Sequence, residues 1–590
     1  MRMKRMATRA LLVMMALVIA AGYGASGSAR AVSTASYYVL LYIDQKQAVV
    51  GNEEVELAVA PTIIDGSTYV PARFLGETLG FPVDWSEETR SITLAPQNHR
   101  IVMNVDQLTI QQDDAIVPFD SVAAIIDGSL VVKLTWLADM TGTSYAYNEE
   151  LNRVEMLVLK TPDGIYITDQ QNSKPVAKFA TSKKVYRPGE PVKYIDLSYD
   201  PDAEGLVEFK WTGNKEAFFR AGKYPVKLQV TDGHGNQSSV FTEYVTVAGT
   251  PYLSEFEFPI YNKPVGSFIK TGGWSGYYTH FDSIPQLDKT ATYDKERTLL
   301  VSDCPEEIRE PGILYQDMVN GKSRLYAHHI NMSGQSVTFM VYATNPSTQP
   351  VTITTTNEGE VWPSIYANLI GSEATVDFLV KKDMKKEMVI PPGKTYTYVQ
   401  MPTFLPGQGA NVIYDVETDG PIRFTFAAQL TNAMVPPSKL KPIMSTDFIR
   451  GTFPSADVSW NADLGRSLEK PVKLSIGNVA SDTFLTGIDA LTKQPSENFG
   501  NWGVVYDIHL KNPPKMAIMF MAKGGYFKGP VKVNEEIVLV PQSGVLTAFD
   551  GVILLGRTTG KEASLDLEFS PPGGSNLPVD IILYPLQDLE

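Results

Sequence analysis

Hydrophobic and polar positions in the first part of the chain follow one pattern twice, with a constant offset of 62 along the sequence. The match runs without a gap from Tyr42 to Leu94 of the first copy. Within that copy, Tyr69 and Val70 have the character of a strand. Positions at the spacing of one helix face then follow, namely Phe74, Leu75, Thr78 and Leu79. Chance does not preserve one register for so long, so the two copies are predicted to share one fold.

Turn-forming residues limit the predicted helix and separate it from the next strands. Pro71 stands at the first helical turn, where proline is tolerated, and Gly80 stands where a helix ends. Beyond it, Val83–Trp85 and Ile92–Leu94 alternate between apolar and polar positions on either side of a turn. Each copy is therefore predicted to form a strand, a short helix and a hairpin.

The rest of the chain alternates with the two-residue period of β-strands. A polar, turn-rich stretch at 161–174 is predicted to be a linker. Between 175 and 249, short alternating segments separated by turns predict a β-sandwich. Residues 250–445 and 446–590 remain rich in strands and turns, and each is predicted to form a β-sandwich domain. The expected fold class is mainly β and multidomain, beginning with a duplicated small α+β unit.

Residues 1–31 have the organisation of a secretory signal peptide. They contain a basic start, an apolar run from Ala10 to Ala21 and a small-residue exit ending at Ala31. The alternative, an uncleaved anchor, needs a longer apolar run of roughly 20 residues. We expect cleavage near Val32, which leaves a first mature domain at 32–160 and a chain outside the membrane.

Charge and cysteine content narrow the expected partners. The chain carries a formal net charge of −15, and residues 1–31 contain basic residues and no acid, so the mature surface is more acidic still. Such a surface repels phosphate backbones, and nucleic acid is not expected as a partner. With Cys304 as its single cysteine, the chain forms no internal disulfide, so packed cores or bound ions must stabilise it.

Residues 38–159 resemble the copper amine oxidase N-terminal-like module, or stalk domain, of secreted proteins from spore-forming Gram-positive bacteria. The most specific element is Asp65–Phe74, which reads DGSTYVPARF and is similar to the motif of that family. The second copy has Thr135 in place of Arg73, which weakens a symmetric binding site. Arg73 is a candidate ligand-binding residue, with a surface ion pair to Glu77 as the alternative.

The resemblance does not imply the chemistry in the family's name. Those oxidases form a quinone from a tyrosine that follows an asparagine, and they hold copper with three histidines. Here no tyrosine follows an asparagine, and the six histidines form no His-x-His pair. A metal site needs ligands at a workable spacing, so we expect neither amine oxidase activity nor a copper cofactor.

Residues 175–249 resemble an immunoglobulin-like (Ig-like) module of the polycystic-kidney-disease (PKD) type. The resemblance rests on Tyr186–Val192, Ser198–Asp202 and Trp211, and the WxFGDG loop of that family is reduced here to Trp-Thr-Gly. Such modules are spacers and interaction domains of surface proteins. Four aspartates are candidate ligands for a structural Ca²⁺, with turn formation as the alternative: Asp196, Asp200, Asp202 and Asp232.

Aromatic residues are the candidate ligand-binding groups of the C-terminal half. Trp274, Tyr277 and Tyr278 lie in a glycine-rich stretch, and Trp502 lies between an asparagine and a glycine. In exposed loops such side chains offer stacking faces for sugar rings. The alternative is that they cap the core of a sandwich.

Other reactive residues give weaker signals. His328 and His329 are neighbours in an alternating segment, which sends their side chains to opposite faces and argues against one shared metal ion. Cys304 lies in no helix-start setting that would activate it and is predicted to be a buried or unreactive thiol.

These features predict an exported, non-catalytic protein of the cell envelope, either released or held non-covalently at the cell wall. Its expected partner is cell-wall polysaccharide or another surface protein. The alternative is an extracellular carbohydrate-active hydrolase with catalytic carboxylates among residues 250–590, because the separation of paired carboxylates depends on the fold.

Overall fold

A computed structural model describes residues 36–96, 99–140, 143–159, 173–201, 205–380, 383–444 and 449–589. The expected signal peptide, most of the expected linker and Asp202 lie outside these residues. The chain divides into two compact units, one ending at Tyr252 and the other beginning at Leu253. Within the described ranges, no helix has both the length and the apolar character that crossing a membrane requires.

The described residues of the first unit begin with short strands and three short helices. The strands are β1 Ser36–Tyr42, β2 Gln47–Val50, β3 Glu53–Glu56, β4 Thr62–Ile64, β5 Ser67–Pro71, β6 Val83–Ser86, β7 Ser91–Leu94, β8 Ile101–Asn104, β9 Thr109–Gln112, β10 Ala115–Val117, β11 Ala123–Ile126, β12 Ser129–Lys133, β13 Ser144–Asn148 and β14 Arg153–Leu159. The helices are α1 Ala72–Thr78, α2 Phe119–Val122 and α3 Leu134–Met140. Each copy adopts the predicted order, as β5-α1-β6-β7 and as β12-α3-β13-β14.

Strand pairing interlocks the two copies. One five-stranded sheet has the order β13-β14-β1-β2-β3, and a second has the order β10-β9-β8-β7-β6. Each sheet therefore joins the closing hairpin of one copy to the opening strands of the other. A four-stranded sheet, β11-β12-β5-β4, holds the hairpins of both DG motifs. Asp65 and Gly66 have φ of 48° and 72°, the left-handed pair that a tight type I′ turn requires.

Helix α1 packs closely against the hairpin that follows it. Ala72, Leu75 and Gly76 are buried on its inner face. A Cβ on Gly76 would lie 2.8 Å from Val83 Cγ2 and 2.9 Å from Leu94 Cδ2, so only glycine permits this approach.

The Ig-like module follows in the same unit. Its strands are β15 Phe179–Thr181, β16 Val185–Tyr186, β17 Tyr194–Asp196, β18 Leu206–Thr212, β19 Gly222–Asp232 and β20 Phe241–Val247. One sheet has the order β16-β20-β19-β18, and β15 pairs with β17 in another. The Trp211 ring packs 4.9 Å from the ring of Phe179, and both contribute to the core of this module. The module thus has the paired-sheet construction expected from its alternating sequence.

The described part of the second unit contains three helices, α4 Glu257–Asn262, α5 Gly273–His280 and α6 Ala367–Val380, and a 3₁₀ turn at Pro437–Lys439. Its strands are β21 Phe268–Lys270, β22 Thr290–Tyr293, β23 Thr298–Ile308, β24 Gly312–Asn331, β25 Val337–Thr344, β26 Val351–Ser364, β27 Lys386–Ile390, β28 Thr395–Gln400, β29 Gly409–Leu430, β30 Ile449–Phe453, β31 Asp457–Asp463, β32 Val472–Ile476, β33 Thr486–Asp489, β34 Gln494–Glu497, β35 Val505–Lys511, β36 Lys515–Ala522, β37 Gly529–Val533, β38 Glu536–Val540, β39 Gly551–Thr559, β40 Ser564–Phe569 and β41 Val579–Pro585.

The strands described in this unit form three sheets, and their order in the sheets does not follow chain order. A five-stranded sheet has the order β21-β39-β36-β41-β32, and a six-stranded sheet has the order β22-β31-β35-β40-β37-β38. The largest sheet runs β27-β26-β29-β24-β23-β30-β33-β34, with β25 paired to β28 and β29. The early strands β21, β22 and β23 thus pair with the late strands β39, β31 and β30. The predicted boundary at 445/446 therefore does not separate two sheet systems, because early and late strands share each sheet.

A buried charge network joins two of these sheets. Arg324 of β24 is 3% exposed, and its Nε and Nη2 donate to the two carboxylate oxygens of Asp415 at 2.7 and 3.0 Å. Its Nη1 donates to the carbonyls of Ala456 and Gly503 and lies 2.8 Å from Asp457 Oδ1 of β31. Carboxylates of the largest and the six-stranded sheets, Asp415 and Asp457, thus converge on one guanidinium.

Candidate ligand-binding surface

The glycine-rich stretch that holds Trp274 begins a helix, not the loop that the sequence suggested. Gly272 precedes α5 with φ of 88°, a left-handed conformation that glycine adopts readily. A Cβ on Gly276 would lie 1.4 Å from the carbonyl oxygen of Thr271, so glycine is required for the helix to turn back on that residue. Gly272 and Gly276 therefore determine how this helix begins. The start of the helix in turn sets the directions of its aromatic side chains, Trp274, Tyr277 and Tyr278.

Helix α5 presents two aromatic rings on one face. Trp274 and Tyr278 are one helical turn apart, and their ring centroids are 6.0 Å apart with 26° between the planes. Their side chains are 58% and 62% exposed. The ring of Phe549 lies 4.1 Å from that of Trp274 at an angle of 34°. We call Trp274, Tyr278 and Phe549 the aromatic ledge.

Tyr277 supports the ledge and does not present a face of its own. It is 7% exposed and packs in the core with Ile260, and its ring lies 4.6 Å from that of Phe549. Burial, reinforced by the nearby carboxylate of Asp282, raises the pKa of Tyr277 to about 12. This residue therefore differs from its prediction as a stacking partner, because its position on the helix turns it inward.

Phe549 was missed by sequence reasoning. It lies far beyond Tyr278 in the chain and enters the ledge because β39 pairs with β21 next to α5. Its own signal was weak, a single aromatic residue before Asp550-Gly551 in a turn with φ of 65°. Thr547 of the same turn donates to the Asp550 carboxylate, so polar groups flank the ledge.

The other aromatic candidate, Trp502, is half-buried and packs against the largest core of this unit. Its backbone N–H donates to Asn498 Oδ1 at 3.0 Å. This setting agrees with the alternative that Trp502 caps a core. A more exposed apolar group, also missed from the sequence, lies where β26 leads into α6: Trp362, Ile365 and Tyr366, which are 73%, 66% and 65% exposed.

Arg73 lies in an ion pair with Glu77, which is the alternative to ligand binding given above. Its Nη1 lies 3.6 Å from Glu77 Oε1, one turn along α1, and both side chains are more than half exposed. The geometry around Arg73 is therefore that of a surface ion pair on a short helix.

The aspartates of the Ig-like module act mainly on local turns. Asp232 accepts from the backbone N–H groups of His234 and Asn236 at 2.9 and 2.8 Å, and Asp196 accepts from Ser198 at 3.0 Å. Asp202 lies outside the described residues. Among the residues that are described, no three His, Cys, Asp or Glu side chains form a group suited to a metal ion.

The paired histidines of β24 are both buried and lie in different surroundings. His328 Nδ1 is 3.3 Å from Asp303 Oδ1, whereas the ring of His329 packs 5.2 Å from that of Phe339. This divergence is what a strand imposes on successive side chains. The side chain of Cys304 lies outside what the structure describes.

The architecture is that of a modular, mainly β protein whose first module is a strand-exchanged duplication. Residues 13–94 and 76–156 each match the family model of the copper amine oxidase N-terminal domain. The match is to the N-terminal domain of that family alone, and no curated protein matches the chain.

Three solved structures are similar to parts of the chain. The PKD1 domain of Vibrio anguillarum Epp is 30% identical, covers 13% of this chain and all of that domain, and has a TM-score of 0.11. A carbohydrate-binding module of the β-sandwich superfamily is 17% identical over 44% of this chain and 97% of its own, with a TM-score of 0.13. Bacteroides ovatus SGBP-B, solved with a mixed-linkage heptasaccharide, is 9% identical over 69% and 88%, with a TM-score of 0.09.

All three TM-scores are far below 0.5, so the structural likeness itself carries no argument. The chain thus contains two segments that match the copper amine oxidase N-terminal domain, an Ig-like module and a β-rich C-terminal unit.

Proposed function

We propose that this protein is an exported, non-catalytic binding protein of the cell envelope and that its aromatic ledge takes up polysaccharide. The observation that carries the proposal is the pair formed by Trp274 and Tyr278. Their rings are close to parallel, neighbouring and more than half exposed. Burying large aromatic faces in water-free contacts is favourable, and leaving two of them exposed side by side is unusual unless something binds there.

Sugar rings suit this surface better than a charged polymer does. The C–H faces of a pyranose pack on aromatic rings, and its hydroxyls find polar partners such as Asp550 and Thr547 beside the ledge. The chain carries a net charge of −15, which disfavours strongly anionic polymers. A cell-wall polysaccharide without strong negative charge is the proposed ligand, and export rests on the predicted signal peptide.

Retention on purified Gram-positive cell wall tests this proposal. Wild type is expected to bind, and Trp274→Ala to weaken retention about tenfold, which corresponds to about 1.4 kcal/mol. Trp85→Ala is the matched control, since Trp85 is also an exposed tryptophan, 39% exposed, but lies in the first unit. Equal retention of wild type and Trp274→Ala contradicts the ledge as the site. Release of reducing sugar by wild type contradicts the non-catalytic role.

A further inference from the structure

An open cavity in the largest sheet is lined by residues other than those of the ledge. It has a volume of about 210 Å³, lies along strands β26 to β29, and includes the exposed side chain of Glu360. Its lining is mostly polar and consists of Thr355, Glu358, Glu360, Lys386, Glu387, Met388, Tyr398, Val399, Gln400 and Tyr414. Pockets for drug-sized ligands run to roughly 300–1,000 Å³, so this one suits a ligand no larger than a single sugar ring.

Tyr398 and Tyr414 both line the cavity, and their rings contact each other. Their ring centroids are 5.6 Å apart and the planes are inclined by 68°. Tyr414 is 5% exposed and donates its hydroxyl to Glu360, while the hydroxyls of Tyr398 and Thr355 are 2.7 Å apart. Burial raises the pKa of both phenols well above the usual value, with the nearby glutamates adding to the effect. Both tyrosines therefore stay neutral.

Glu358 and Glu360 face the cavity because Gly359, the residue between them, faces the opposite side of the strand. Gly359 packs against α6, where an added Cβ would lie 2.2 Å from the Ala374 carbonyl oxygen. Neighbouring side chains of a strand point the other way, which places Glu358 and Glu360 on the cavity side. Glu358 is also the direct cross-strand neighbour of Tyr414.

The charges of the lining favour a positively charged ligand. The cavity has three glutamates against one lysine. Glu387 is paired with Lys385 at 3.4 Å, and among the described residues no basic side chain pairs with Glu358 or Glu360. A phosphate or uronate is repelled here, while a ligand with an ammonium group supplies the missing positive charge.

We propose that this cavity binds one hexosamine unit with a free amino group, its ammonium held between Glu358 and Glu360. The mixed donors and acceptors of the lining favour a polyhydroxylated cation over a simple alkylamine, which has no polar group besides its ammonium and no acceptor for the Gln400 amide. The choice of a sugar rests on the proposed function, whereas the ammonium preference rests on the cavity alone. The site extends the ledge proposal to recognition of a deacetylated amino sugar.

Isothermal titration of the full chain with glucosamine at about pH 6, where such an amine is protonated, tests the proposal. Glucosamine is expected to bind with millimolar affinity, and N-acetylglucosamine and glucose at least tenfold more weakly. Glu358→Gln and Glu360→Gln should each weaken glucosamine about tenfold. Glutamine at position 360 can still accept from the Tyr414 hydroxyl, and among the described residues Glu358 makes no side-chain hydrogen bond that its replacement would lose, so both variants should fold. Glu417→Gln on β29, outside the lining, is the matched control and should bind as wild type does.

Two results with wild type overturn the proposal: absence of glucosamine binding, and binding of N-acetylglucosamine as tight as that of glucosamine. Unchanged affinity in both glutamine variants also overturns it. Trp274→Ala separates this site from the ledge, because it should weaken cell-wall retention about tenfold and keep glucosamine binding. Failure of retention by wild type, with glucosamine still bound, removes the ledge proposal and leaves the cavity in place.

Discussion

Replacing Arg324 with methionine should destabilise the C-terminal unit strongly. The side chain is 3% exposed and makes two hydrogen bonds to Asp415 and two to backbone carbonyls, besides its contact with Asp457. Methionine fills part of the volume but leaves Asp415, which is 6% exposed, without its closest cation.

The magnitude depends on the cations that remain around the carboxylates. Removing one partner of a buried pair costs about 3–5 kcal/mol. Arg297 still lies 3.3 Å from Asp415 and 3.2 Å from Asp457, so part of the charge stays compensated. We therefore expect the lower end, about 3 kcal/mol, out of a total stability of about 5–15 kcal/mol for a typical protein.

Native-state hydrogen exchange of peptides from β24 and β31 measures this loss of stability, because both strands belong to the C-terminal unit. A cost of about 3 kcal/mol accelerates exchange through global opening about 10²-fold, since each 1.4 kcal/mol is a factor of ten. Arg324→Lys keeps the charge but loses the paired geometry and should fall between. Arg423→Met makes the same change at an exposed position on β29 and should exchange as wild type does. An acceleration below about fivefold in Arg324→Met refutes the network as a stabilising element.

Two further predictions concern Arg73, which pairs with Glu77, and the carboxyl group of Asp482. Arg73→Ala should cost no more than about 0.5 kcal/mol in urea unfolding, because its pair with Glu77 is exposed; a loss of ligand binding at unchanged stability contradicts this. Burial raises the pKa of Asp482, whose Oδ2 accepts from Tyr506 at 2.7 Å and from the backbone N–H of Gly477 at 2.8 Å. The folded state therefore binds the carboxyl proton of Asp482 more tightly than the unfolded state does. Its contribution to the free energy of unfolding is present at low pH and is lost as pH rises from about 4 through the raised pKa. The stability of wild type relative to Asp482→Asn should fall over that window, and a difference independent of pH contradicts the assignment.

The two candidate sites show why sequence reasoning reached only part of each. Trp274 and Tyr278 were identifiable as aromatic residues in one stretch, but the inward turn of Tyr277 depends on a helix that the glycines concealed. Glu358 and Glu360 are two apart on one strand, yet their meeting with Tyr398 and Tyr414 depends on strand register. Register is decided by packing over the whole sheet, which no local pattern contains.

Sequence by itself determined the duplication, the order of strand, helix and hairpin in each copy, and the mainly β character of the remainder. These features depend on hydrogen bonds and side-chain faces among residues close in the chain, so periodicity and turn residues reveal them. Only the tertiary structure decided that the copies exchange strands, that β1 pairs with β14, and that strands from both halves of residues 253–590 share each sheet. Those choices depend on which distant strands bury the most apolar surface together, a property of the assembled core.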